Sequence, residues 1–232
     1  MKKAFTMLEL VFVIVVIGIL AAAIIPSTRT NPLQEAAVQV LSHIRYTQHL
    51  AMMDDKYDAS NVDSTGTVKW YKERWQILFS SNGSSGGTMG YTIFSDNAGD
   101  STGNPDEAEI ARNPSNPSQR MTGGQTSTVS LNIDNAGFVG MNKLNIGRSY
   151  GVTALTFSAS CSTAGSTRMT FDHMGRPIQS NLSSNTQSYD GNDLVQADCN
   201  ILLTHSSGDS LTIRVQEETG YACILNAGGI CI

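Results

Sequence analysis

"KKAFTMLELVFVIVVIGILAAAIIPS", residues 2–27, carries a single acidic residue, Glu9, within an otherwise apolar run. A carboxylate near mid-bilayer costs about 2–3 kcal/mol, and less toward an interface. A run that keeps one therefore needs a reason for it. Read as a secretory signal, the stretch has Lys2 and Lys3 as its basic region and Leu10 to Leu20 as its apolar region. Ala21-Ala22-Ala23 would then be its small-residue cleavage site. Read as a plain membrane anchor, Phe5 to Ile25 supplies 21 residues, about 31 Å at 1.5 Å per residue, with the lysines holding the N-terminus in the cytoplasm. Neither reading accounts for Glu9.

The residues KKA-FTMLE resemble the class III leader of type IV prepilins and type II secretion pseudopilins. That leader is short and basic, the cut precedes the apolar run, and a glutamate stands fifth in the mature chain. The resemblance implies cleavage between Ala4 and Phe5 by a prepilin peptidase, N-methylation of Phe5, and pairing of Glu9 with the terminal ammonium of a neighbouring subunit. Ala4 departs from the family's usual glycine but keeps a small residue before the cut. A carboxylate in an apolar filament core is tolerable when a cation meets it, and such a pair would set the axial register between subunits. Pro26 falls where the family places a helix-bending proline.

After the polar step "STRTN" (27–31), Asn31 is placed to cap a second helix, Pro32 to occupy its first position and Glu35 its first turn. Leu33, Ala37, Val40, Leu41, Ile44 and Ala51 recur at helical spacing and predict one apolar stripe laid on a globular domain. The expected division is a leader at 1–4, a helix over 5–53 with a transmembrane segment at 5–25, and a β-rich head at 54–232. One bent helix over 5–53 would run about 74 Å. The expected fold class is α+β and pilin-like: a long N-terminal helix, membrane-spanning in its apolar half and amphipathic in its second, packed on an antiparallel β-rich head.

The head is rich in Ser, Thr, Asn and Gly, low in charge, and reads as short strands and turns. "ERWQILF" (73–79) alternates to put Trp75, Ile77 and Phe79 on one face, and "GYTIF" (90–94) follows. "STVSLNI" (127–133) would expose Val129, Leu131 and Ile133 together before the turn "DNAG". "GVTALTF" (151–157) and "STRMTF" (166–171) are candidates to pair. "NILLTHSSGDSLTIRVQ" (200–216) reads as a hairpin with Ile201 and Leu203 answering Leu211, Ile213 and Val215. The Ser/Gly/Asn-rich stretches 81–88 and 180–192 are expected to be mobile loops. Cys161, Cys199, Cys223 and Cys231 lack C-x-x-C spacing and read as two disulfides of an extracytoplasmic domain. Of three connectivities, Cys161–Cys199 with Cys223–Cys231 is the one expected.

The order "RWQILFS … YTIFSDNAGDSTGNPDEAEIAR … MTFDHMGRPI" is similar to the GspH/FimT-type minor pilins. Trp75, Phe79, Phe94, Asp96, Asn97, Glu107, Phe171, Gly175 and Arg176 carry the match. The resemblance implies a minor pilin or pseudopilin that assembles into a type II secretion pseudopilus or a type IV pilus. It implies as partners other pilins or pseudopilins in a filament or tip complex, the prepilin peptidase and an inner-membrane assembly platform. It also implies a single-pass place in a bacterial inner membrane, N-terminus cytoplasmic before cleavage and head periplasmic.

The alternative function is a membrane-tethered minor pilin that captures DNA or exported substrate. Some relatives bind DNA through arginines near a C-terminal Gly-Arg stretch; here Thr219-Gly220-Tyr221-Ala222 puts a tyrosine in that place, and Arg148, Arg168, Arg176 and Arg214 are scattered. A net charge of −5 and a pI near 5.3 argue against nucleic acid as a partner. Asp96, Asp100 and Asp106 form a weak calcium candidate without EF-hand spacing. His43, His49, His173 and His205 lie in no catalytic or zinc motif, and no G-x-S-x-G is present. The chain is accordingly read as non-enzymatic and without a cofactor.

Overall fold

The structure, a computed structural model, describes residues 6–24, 31–62, 66–97, 102–125, 128–162, 165–179, 181–191 and 193–232. The chain divides into two compact units, 1–31 and 32–232. The first holds helix α1 (Met7–Ile24), and the second opens with helix α2 (Pro32–Met53). The expected single helix with a membrane-spanning half is thereby corrected. Pro32 has no N–H to continue a ladder from preceding residues, so it starts a new helix. The 18 residues of α1 rise about 27 Å, short of the roughly 30 Å of a hydrocarbon core, and Glu9 stands in the first turn. Among the described residues no helix is long and apolar enough to cross a membrane.

The second unit continues through strands β1 (Trp75–Ser80), β2 (Gly90–Ser95), β3 (Arg112–Asn113), β4 (Asn116–Arg120), the short helix α3 (Ile146–Tyr150) and β5 (Val152–Phe157). Then follow β6 (Arg168–Phe171), β7 (Pro177–Ile178), β8 (Cys199–His205), β9 (Ser210–Val215) and β10 (Ala222–Ile224). Two four-stranded antiparallel sheets result, ordered β2-β1-β6-β7 and β10-β9-β8-β5, beside the β3–β4 hairpin. Leu33, Ala36, Ala37, Val40, Leu41, Ile44, Thr47 and Ala51 of α2 are buried. That stripe touches β1 and β6 of the first sheet and β8, β9 and β10 of the second, so one helix face closes a core common to both sheets.

The register fixes which side chains meet the helix. Ile77 opposes Ile93 and Met169, while Phe79 opposes Tyr91, and all five are buried. In the second sheet Ile201 opposes Ile213, and Leu203 opposes both Leu211 and Leu155. The strand 151–157 therefore pairs with β8, not with 166–171, which pairs with β1. The Cys161–Cys199 disulfide sits at the corresponding end of the β5–β8 pair, and Cys223–Cys231 closes the C-terminal segment onto β10. Residues Val129–Leu131 form a 3-10 turn, not a strand: Leu131 is buried while Val129 is 66% exposed. The stretch 81–88 also has structure, since Asn82 and Ser85 form a capping box around a 3-10 turn.

A buried polar chain joins α2 to the sheet beneath it. Gln39 Nε2 donates to Tyr91 Oη (2.8 Å), His43 Nδ1 lies 2.5 Å from the same oxygen, and Tyr150 Oη donates to Gln39 Oε1 (2.9 Å). Tyr91 is fully buried, and burial pushes its phenol above its ordinary range. Burial lowers the His43 imidazole to about 4.

Two outcomes are expected. Between the unfolded imidazole's value near 6.5 and the folded value of about 4, the unfolded chain binds the extra proton. Stability is therefore full above pH 6.5 and falls as the pH drops toward 4, by on the order of 3 kcal/mol. His43→Gln should flatten that slope in urea melts run across the window. The two disulfides should differ by loop length, spanning 38 and 8 residues. Replacing Cys161 and Cys199 by Ala costs about 4 kcal/mol in the chain-entropy picture, and replacing Cys223 and Cys231 about 2.5 kcal/mol. Guanidinium unfolding without reductant measures both.

Candidate functional site

Helix α1 is apolar around its whole circumference. Leu8, Leu20, Leu10 and Val11 fall near 0, 120, 200 and 300° round the axis at 100° per residue and keep 82, 56, 56 and 55% of their surface exposed. A helix that is apolar on all sides is one that something else buries. Its N-terminus is closed by a reciprocal pair. Thr6 N–H and Oγ1–H donate to Glu9 Oε2 at 3.0 and 2.9 Å, and Glu9 N–H donates back to Thr6 Oγ1 at 3.3 Å. This is a capping box, Thr-x-x-Glu, which satisfies amide hydrogens that the first turn leaves unpaired. The same four letters were legible in the sequence, but the reading of Glu9 as an intersubunit partner passed over them. Ala4, Phe5 and Pro26 lie outside the described residues.

The residues that carry the minor-pilin resemblance fall mostly in and around the first sheet. Phe79, Phe94 and Phe171 are core residues, while Trp75 is half-buried, its indole N–H donating to Asp54 Oδ2 at 2.8 Å. Gly175 and Arg176 form a turn built on Asp172, which is fully buried. Asp172 Oδ1 accepts from the Met174 and Arg176 amides, and Oδ2 accepts from Arg176 Nε (2.8 Å) and Tyr189 Oη (2.9 Å). Burial pulls the Asp172 carboxyl up, but the Arg176 and Tyr189 hydrogen bonds outweigh it and hold it below the usual carboxylate range. Gly175 has φ +81°, and a Cβ there would meet Gln48 and Met52 of α2. Gln48 Nε2 donates to the Gly175 and Thr219 carbonyls, at 2.8 and 2.9 Å, fastening the turn to the helix. Sequence reading missed Asp172 and Gln48. An Asp just before a Gly-containing turn was the available signal for the first.

The outer face of the same sheet is buried too, and it mixes Phe94 and Leu78 with a set of polar side chains. Gln76, Thr92, Arg168 and Thr170 are all 5% exposed or less. Arg168 donates to Gln76 Oε1 (2.5 Å) and to the Gly103 carbonyl, tying the segment after β2 across the sheet. Asp96 completes that tie, accepting from the Asn97 and Gly103 amides at 2.9 Å each. Glu109 accepts from the Asn97 and Asp106 amides; burial, followed by the charges of Asp96 and Asp106, pushes its carboxyl above the usual range. The calcium candidate is thus met by amide hydrogens at Asp96, Asp100 lies outside the described residues, and no group of three or more His, Cys, Asp or Glu among the described residues could hold a metal ion.

The scattered arginines are engaged within the chain. Arg148 pairs with Asp134 (2.8 Å), Arg176 with Asp172, and Arg214 with Asp198 (3.4 Å). In the stretch 219–222, Tyr221 is half exposed and lies under the Arg45 guanidinium, which donates to the Ala222 carbonyl at 2.6 Å. Compared with known proteins, the chain matches no family model, no curated protein and no solved structure.

Asp172→Asn should destabilise the head by about 2–3 kcal/mol in denaturant unfolding. That is below the roughly 3–5 kcal/mol of a fully buried pair, because the Arg176 side chain keeps 31% exposure. Because the folded carboxyl titrates below its unfolded value, the contribution is present above about pH 4 and lost as the pH falls below it.

Proposed function

We propose that this chain is a minor pilin or pseudopilin subunit, whose apolar helix α1 packs against the corresponding helices of other subunits in a filament or tip complex. The observation that carries the reading is the exposure of α1 on every side, while the core of the second unit is built from residues 33 to 224 of its own. Dispersion and exclusion of water would drive the helices together. The two disulfides support placing the head in an oxidising, extracytoplasmic compartment. No observation favours direct capture of DNA, since Arg148, Arg176 and Arg214 are ion-paired and Arg168 is buried.

Two experiments test the reading. The intact mass of the protein from cells with prepilin peptidase should correspond to a chain starting at N-methylated Phe5, and the change should vanish in cells lacking the enzyme. A chain starting at Met1 in both would overturn the proposal. Glu9→Gln then separates the two roles of Glu9. Glutamine keeps the capping box but removes the charge, so loss of the subunit from purified filaments, with helix content unchanged, assigns Glu9 an intersubunit partner. Normal incorporation would leave Glu9 as a cap alone.

A further inference from the structure

The pair Asn82–Gly83 lies in the stretch 81–88, and among the chain's asparagines Asn82 alone precedes a glycine. That pair carries a reaction of its own. Glycine has no side chain to shield its backbone nitrogen, so the Gly83 nitrogen can attack Cγ of the Asn82 side chain. The N–Cγ bond forms, the Cγ–Nδ2 bond breaks, and ammonia leaves with the proton given up by Gly83. Solvent water then opens the resulting cyclic imide at either carbonyl, leaving aspartate or isoaspartate at position 82. No other reactant is needed, and the pair reaches solvent: Gly83 is exposed and Asn82 half-buried.

The fold holds the reacting atoms apart. Ring closure needs the Gly83 nitrogen eclipsed with Asn82 Cβ about the Cα–C bond, and at the Asn82 ψ of 178° the two are staggered. The carboxamide is also held from both ends. Oδ1 accepts from the Ser85 amide at 2.9 Å, while Nδ2 donates to the Gln125 carbonyl at 3.0 Å and to Ser80 Oγ at 3.4 Å. Ser85 Oγ accepts from the Asn82 amide at 2.9 Å, and the Asn82 carbonyl accepts from the Gly87 amide at 2.8 Å. Ser84 and Ser85 are buried, and their carbonyls accept from the Ile133 amide and from Asn145 Nδ2. Turning Asn82 toward the reactive geometry therefore breaks the capping box and loosens a segment anchored at 125, 133 and 145.

We infer that Asn82 is a deamidation site that the fold keeps shut and that opens only with this segment, so that conversion is a one-way record of local opening. The closed arrangement is not regained afterwards. Aspartate keeps an acceptor for the Ser85 amide but loses both donations from Nδ2, and it sets a carboxylate against the Gln125 carbonyl oxygen. Isoaspartate adds a methylene to the main chain and displaces the acceptors that the Ser85 and Gly87 amides use. Packing does not demand the reactive pair, since a Cβ at Gly83 would meet nothing within 4 Å.

Peptide mapping by mass spectrometry follows the conversion in the full chain, held in mild detergent at mildly alkaline pH. Asn82 should convert about tenfold or more slowly in the folded chain than in guanidinium with the disulfides intact. Equal rates in the two states overturn the inference, and so does an unfolded chain that deamidates first at another asparagine. Gly83→Ala should keep the fold and slow the reaction in guanidinium; an undiminished rate there shows that the attack does not come from Gly83 and also overturns it. Ser85→Ala removes one arm of the box and should raise the folded rate while leaving the rate in guanidinium unchanged. A folded rate that Ser85→Ala does not move overturns the closure assigned to the box. Should Ser85→Ala fail to fold, Ser80→Ala, which removes one acceptor of Nδ2, takes its place with the same two outcomes.

Discussion

Both sheets of the head depend on one face of α2. A four-stranded sheet with one apolar side has to bury that side, and here the two sheets share a single lid instead of each acquiring its own. Ala36 and Ala37 are fully buried within the stripe, and small side chains there let the helix backbone come close to the strands. Val40, Leu41 and Ile44 supply the bulk. The same face carries Gln39 and His43, whose hydrogen bonds to Tyr91 fix the rotation of the helix over the sheet in a way that apolar contacts alone do not. A residue of slip along α2 would break both.

The first sheet shows the opposite solution on its other side. Irregular chain lies against its outer face and edge, after β2 and in the turn between β6 and β7, and irregular backbone brings N–H and C=O groups that need partners. Arg168, Gln76, Asp96 and Asp172 provide them. That requirement explains why carboxylates that look like ion ligands in the sequence are consumed as caps of backbone amides. It also explains why this layer holds the open donors Arg74 Nε and Nη2 and Arg168 Nε, and the open Thr170 hydroxyl. A polar layer assembled from loops satisfies fewer of its groups than a ladder does.

How much of this was legible in the sequence follows from the range of each signal. The α2 stripe, the β8–β9 hairpin and the start of α2 at Pro32 rest on neighbours a few residues apart, and the helical spacing and the SSGD turn displayed them. The partner of β5 did not follow, because 151–157 and 166–171 are both short and alternating, and nothing local distinguishes β8 from β6 as a mate. Residues 127–133 alternated like a strand yet form a 3-10 turn, since tertiary packing buries Leu131 alone of its apolar positions. The long helix failed for a different reason: helical length was counted from residue 5 to residue 53 across both prolines, whereas the described helices are α1, Met7–Ile24, and α2, Pro32–Met53. For the candidate site, the apolar character of α1 was plain, whereas Arg74 and Gln48 act through contacts across more than a hundred residues that no spacing rule encodes; Asp172 acts within its own turn and on Tyr189, 17 residues on.

Glu9 brings the local and the intersubunit scales together. In the isolated helix its carboxylate is already committed to Thr6, through the backbone amide and the hydroxyl, by one oxygen, Oε2. A carboxylate has two oxygens and about four acceptor positions, so a cap that uses Oε2 leaves Oε1 free to accept from a cation without breaking the box. The cap also restricts the side-chain rotamer, which lowers the entropy lost when a partner arrives. Capping and the proposed intersubunit pairing would therefore be compatible: the box that closes the first turn uses Oε2 and restricts the side chain. On this view the glutamate is tolerated in the apolar run because part of its polarity is satisfied by its own helix end before any neighbour is present.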